Sequence, residues 1–128
     1  MGADLYMRAD GKLAESQVYG VNYFRDSYNA TSLLWALGLS WWQDIAAMLD
    51  ESRNLTPQNA EKLLAMIESR QLPSPEALVQ TEGFRSAVVD RGKNSPDAWW
   101  QMLEKKQQVF AAFLRKAIDT GASIWCSV

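Results

Sequence analysis

From Ser27 onward the apolar residues fall into helical spacing, with Leu33, Leu34, Leu37, Trp41, Ile45 and Met48 recurring at intervals of three and four. Gly38 interrupts this run. A glycine inside a helix costs about 1 kcal/mol relative to alanine, whereas just past a helix end it supplies the left-handed residue that closes the last turn. Ser40-Trp41-Trp42-Gln43 then fits a capping box, in which Ser accepts from a helical amide and Gln reaches back. The pattern therefore predicts one helix near 29–37 and another near 41–51. Thr56-Pro57, Ser74-Pro75 and Ser95-Pro96 each combine an N-cap with Pro at the first helical position, where its missing donor costs nothing. The first opens a helix over about 57–70 with a stripe of Ala60, Leu63, Leu64 and Ile67. The second opens a short helix and an irregular connection through Gly83 and Gly92.

The third pair starts the longest helix, 96–120, which carries Trp99, Leu103, Phe110, Phe113, Leu114, Ala117 and Ile118 and is stopped by Gly121. Its length of roughly 37 Å exceeds a radius of gyration near ~14 Å, so it must cross the whole domain. Outside the helices, residues 3–8 alternate weakly and Asp10-Gly11 suits a type I′ turn, which predicts a strand, a turn and a second extended segment up to about Tyr19. The tail "ASIWCSV" is β-branched and aromatic and predicts a strand able to pair with residues 3–8. The expected fold is a single domain over residues 1–128, α+β but mainly α, with about five helices and a minor β element joining the N- and C-terminal segments.

Composition narrows the chemistry more than the fold. With 128 residues, 48% hydrophobic and 22% charged, the chain has the usage of an ordinary globular domain. A formal charge of -2 leaves no excess of Lys and Arg to neutralise a phosphate backbone, so nucleic acid is not an expected partner. No apolar run reaches the length of a membrane span, and "MGADLYMRADGK" lacks the apolar region of a signal peptide. The expectation is a cytoplasmic protein with no membrane partner. The single cysteine, Cys126, forms no intrachain disulfide, and the absence of histidine removes a Ser-His-Asp triad, a Cys-His pair and the commonest metal ligand. No phosphate loop, dinucleotide fingerprint or calcium loop is present, so neither a cofactor nor a metal is expected.

One stretch stands out as a candidate site. "YFRDSYNATSLLWALGLSWWQDI", residues 23–45, places Tyr23, Phe24, Tyr28, Trp35, Trp41 and Trp42 around Arg25-Asp26. The fork of Arg25 suits a carboxylate or phosphate, while Asp26 and the tyrosines could orient a ligand hydroxyl. Trp41 and Trp42 lie about 100° apart on a helix, so one of them is expected at the surface, where an aromatic suits sugar, peptide or subunit contacts. Packing of the helices in a small core is the first explanation of the aromatics, and helix capping by Asp26, Ser27 or Asn29 with local pairing of Arg25 is the first explanation of the polar group. Carboxylate chemistry would need opposed acids across a cleft. Asp4, Asp26, Asp44, Asp50 and Glu51 show no spacing that separates them from solvated charges.

Taken together, "MGADLY" and "YFRDSYN...LGLSWW" resemble the openings of a group of small bacterial proteins of the kind carried in mobile gene cassettes, such as integrons. The resemblance covers roughly the first 50 residues and implies neither an activity nor a catalytic residue. The expected function is non-catalytic binding through a surface of Tyr23, Phe24, Arg25, Asp26, Tyr28, Trp41 and Trp42, most simply in a homo-oligomer. The alternative is a pocket at the same stretch for a small polar or anionic ligand, with hydrolysis by carboxylates as its catalytic form.

Overall fold

The first residues of the chain make its most heavily paired strand. In the computed structural model, which describes residues 2–9, 12–90 and 95–128, β1 (Gly2–Ala9) is antiparallel to three others. They are β2 (Lys12–Leu13), β3 (Tyr23–Ser27) and, after β4 (Asn54–Leu55), β5 (Ser123–Ser127). β4 pairs with β5, so the sheet has five strands in the order β2-β1-β5-β4, with β3 also against β1. Successive side chains of a strand point to opposite faces. Ala3, Leu5, Phe24, Leu55, Ile124 and Cys126 are fully buried on one face. Their neighbours Asp4, Tyr6, Tyr23, Arg25, Trp125 and Ser127 lie on the other and retain access to solvent.

The buried face is covered by helices. α1 (Leu33–Ala36) is a single turn, while α2 (Pro57–Ser69) and α5 (Pro96–Thr120) are long, amphipathic and packed on each other. α2 contributes Ala60, Leu63 and Ile67 to the core, and α5 contributes Leu103, Phe110, Phe113, Leu114 and Ala117. Sheet and helix meet where the Phe24 ring stacks on Phe110, with 4.3 Å between centroids and 9° between planes. Such a pair is worth about 0.5–1.5 kcal/mol beyond its burial. Between the long helices lie α3 (Pro75–Leu78) and α4 (Glu82–Phe84), which runs into a π-helical turn at Arg85–Asp90.

The hydroxyls of Thr56, Ser74 and Ser95 accept from the amides of Asn59, Ala77 and Ala98, so all three Ser/Thr-Pro helix starts form as expected. Gly121 adopts φ +68° and closes α5. Gly38, at φ +76°, likewise ends α1. The tail strand pairs with β1 over Asp4–Arg8.

Three expectations need correction. The β component is not minor: a five-stranded sheet forms one whole layer of an α+β fold. β3 stood inside a segment read as the approach to a helix, and its alternation was obscured because a charged residue, Asp26, occupies a core-facing position. The helix near 41–51 is instead a π-helical turn at Trp41–Ile45 followed by a 3-10 turn at Ala46–Met48. Ser40 makes no side-chain cap there; Asp44 reaches back to accept from the Ser40 amide at 2.8 Å, the part assigned to Gln43. The helix near 29–37 contracts to four residues because Asn29 folds into a tight turn, accepting from the Thr31 amide. The Asp10-Gly11 turn and Gly92 lie outside the described residues. Among the described residues no helix is long and apolar enough to cross a membrane.

Candidate functional site

The seven candidate residues separate onto the two faces of the sheet. Phe24, Asp26 and Trp41 belong to the core. Asp26 is fully buried, and its Oδ1 accepts from the Leu33 amide at 3.0 Å while its Oδ2 accepts from the Leu34 amide at 3.1 Å and the Trp41 indole at 2.8 Å. Lys106 of α5 places Nζ 3.1 Å from Oδ1. A buried carboxylate is tolerated only when its lone pairs and charge are matched in this way. Asp26 thus joins β3, α1, the π-helical turn and α5. It caps a helix, as expected of this polar group, but from the core and across several intervening residues.

Tyr23, Arg25, Tyr28 and Trp42 face outward. Arg25 Nη1 donates to Asp4 Oδ1 at 2.8 Å across the β1–β3 pair, and the Tyr23 hydroxyl donates to the same oxygen. Arg25 is therefore paired between strands and not locally. Its side chain remains 51% exposed, and that of Asp4 19%. The Trp42 ring, in a residue 60% exposed, stacks on Tyr28 with 5.1 Å between centroids and 26° between planes. Trp41, one residue earlier, is only 2% exposed, so the first tryptophan pair splits as expected. Trp99 and Trp100 do not split: both are half-buried, and their indoles donate to the carbonyls of Thr31 and Pro73.

Gly2, Asp4, Arg25, Tyr28, Trp42, Ser127 and Val128 line an open groove of about 590 Å³. Gly2 is required beside it, because a Cβ there would lie 2.5 Å from the Asp26 carbonyl oxygen. The same outer face of the sheet carries a row of rings. Tyr6 sits 5.2 Å from Tyr23 and 5.4 Å from Trp125, centroid to centroid. Asp4, Tyr6 and Trp125 were not recognised as one surface from the sequence. The signal was available in the alternation of residues 3–8 together with their pairing to the tail, which puts Tyr6 opposite both Tyr23 and Trp125.

The outward-facing Tyr23, Tyr28 and Arg25 are all shifted towards their protonated forms. Partial burial and the hydrogen bond to Asp4 push the Tyr23 hydroxyl up, and partial burial together with the charge of Asp4 does the same for Tyr28. The bond with Tyr23 and the charge of Asp4 hold Arg25 more firmly protonated. At neutral pH all three keep their protons. Of the carboxylates considered for hydrolysis, Asp4 and Asp26 point to opposite faces, Asp44 caps Ser40, and Asp50 accepts from the amides of Ser52 and Asn54. Cys126 lies on the core face with its thiol pushed up to about 12 by burial. Among the described residues no group of three or more Cys, Asp or Glu is placed to hold a metal ion.

Beside the groove, a cavity of about 10 Å³ lies among Tyr28, Ser32, Trp35, Ser40, Trp41 and Trp42, and the buried Ser40 Oγ has no hydrogen-bond partner among the described residues. Comparison with protein-family models, curated proteins and solved structures finds no match to this chain.

Proposed function

We propose that this is a non-catalytic binding protein whose recognition surface is the groove between Asp4-Arg25 and Tyr28-Trp42. One observation carries the proposal. Three outward-facing residues of the 23–45 stretch, Arg25, Tyr28 and Trp42, converge with Asp4 on a single concavity that combines an exposed ring with charged hydrogen-bonding groups. A concave site with a few convergent polar groups is the usual form of a small-ligand site. The exposed Trp42 also supplies the reporter. A ligand in the groove should change tryptophan emission and raise the melting temperature, and Arg25→Ala should abolish that rise while leaving the unliganded protein folded. Loss of the fold in Arg25→Ala without ligand would assign the residue to structure and remove the proposal.

A second occupant is supported by the ring row of Tyr23, Tyr6 and Trp125. Rings on the open face of a sheet suit burial against another chain, and a second copy is the simplest one. Sedimentation equilibrium across a wide concentration range, with Trp125→Ser beside the native chain, tests it. A mass that rises with concentration and falls back in the variant supports self-association through this face, and a monomer at high micromolar concentration excludes it.

A further inference from the structure

We infer that the groove selects an uncharged polyhydroxylated ligand, a saccharide, over an anion. The assignment presupposes the groove as the recognition surface and concerns which chemistry fits it. Arg25 taken alone suggests a carboxylate or phosphate. Its charge is already met, however, by Asp4, whose Oδ1 lies 2.8 Å from Nη1 and also takes the Tyr23 hydroxyl. An anion approaching this guanidinium meets the Asp4 carboxylate at hydrogen-bonding range of the same group, in a protein whose formal charge is already -2. A cation drawn to Asp4 or to the ring of Trp42 meets Arg25. A neutral hydroxyl is repelled by neither.

Hydroxyls also use both partners at once. A guanidinium carries five donors and a carboxylate about four acceptor sites, so Arg25 and Asp4 can keep their mutual bond and still engage a ligand. Adjacent hydroxyls of a sugar ring match the pair, one accepting from Arg25 and the other donating to Asp4. These charge-assisted bonds are stronger than those between neutral groups. The remaining face of such a ring is a plane of C–H groups, which needs a flat apolar surface. Trp42 provides it, and the stack on Tyr28 fixes its orientation before a ligand arrives. A platform held in advance lowers the ordering cost of binding. Gly2 and Ser127 also line the groove, and Ser127 brings a further hydroxyl to it.

The test is titration of the full chain with maltose, cellobiose and chitobiose, and in parallel with phosphate and malonate, followed by amide and indole resonances in heteronuclear NMR. Saturable shifts by at least one disaccharide, centred on Arg25, Trp42 and Ser127, are expected. Trp42→Ala should weaken that binding by about tenfold or more, as should Arg25→Gln, and both variants should melt near the native temperature. Groove shifts with phosphate or malonate and none with the sugars would overturn the saccharide assignment while leaving the groove as a binding site. Sugar-induced shifts confined to other surfaces would overturn it as well. If neither class moves any groove resonance, the saccharide assignment falls together with the binding role of the groove.

Discussion

Arg25 and Asp26 are neighbours in the chain and opposites in the fold. One residue of strand geometry separates a guanidinium in an open groove from a carboxylate sealed under helices. Their partners follow the same division. Arg25 meets Asp4 and Tyr23 on the solvent side, and Asp26 gathers two amides, an indole and a lysine from three other parts of the chain. A charged pair adjacent in sequence therefore need not form one site. In a strand the two side chains point to opposite faces, and here one organises the core while the other stays at the surface.

The sharpest way to break this comparison is to remove Asp26. Asp26→Ala leaves the amides of Leu33 and Leu34 and the Trp41 indole without an acceptor and Lys106 without its counter-ion. The expected loss is about 3 kcal/mol or more, a large part of the roughly 5–15 kcal/mol that holds a domain together. Urea denaturation measures it, and a loss under about 1 kcal/mol would show that Asp26 does not organise the core. Trp41→Phe removes the indole donor to Asp26 and shrinks a buried bicyclic ring to a phenyl, so it should cost about 1–3 kcal/mol or more in the same experiment.

Cys126 sharpens the contrast through pH. Its thiol is raised from 9.0 to about 12 by burial, so the folded protein keeps a proton that the unfolded chain releases. This contribution to stability is complete below pH 9.0 and is lost as pH rises from there towards about 12. Denaturation midpoints across that window should fall, and Cys126→Ala should flatten the fall. Alkylation of the native protein at pH 8 should proceed only as fast as it opens. On the outer face the stability effect is smallest. Arg25→Ala breaks a solvent-exposed ion pair and should leave the urea midpoint close to that of the native protein. A loss as large as that of Asp26→Ala would erase the difference between the two faces.

Much of the helical layer was legible because its signals are local. A Ser or Thr before Pro, and a Gly after the last apolar residue, act within a turn, and they fixed the starts of α2, α3 and α5 and the end of α5. The sheet was harder because strand pairing is decided by distant segments. Tyr23–Ser27 looks polar at Asp26 only until Lys106, far along the chain, is placed beside it. The site was half legible for the same reason. The stretch containing Arg25, Tyr28 and Trp42 was identifiable from its density of rings, but Phe24, Asp26 and Trp41 proved to be core. Asp4 and Gly2 join the groove only through the register of β1 against β3.

That register has a consequence for the birth of the molecule. β1 leaves the ribosome well before β5, the strand that pairs with it over Asp4–Arg8. Contacts of such long sequence separation slow folding, and until they form, one edge of β1 has unpaired amides and carbonyls beside Leu5 and Met7. Such an edge is a template for pairing with another nascent chain. β1 can pair early with β2 and β3, which follow it closely in the chain, and so shield its other edge. β5 thus acts as a latch on β1, and a ribosome stalled before Ser123 would release a chain with that edge open and prone to aggregate.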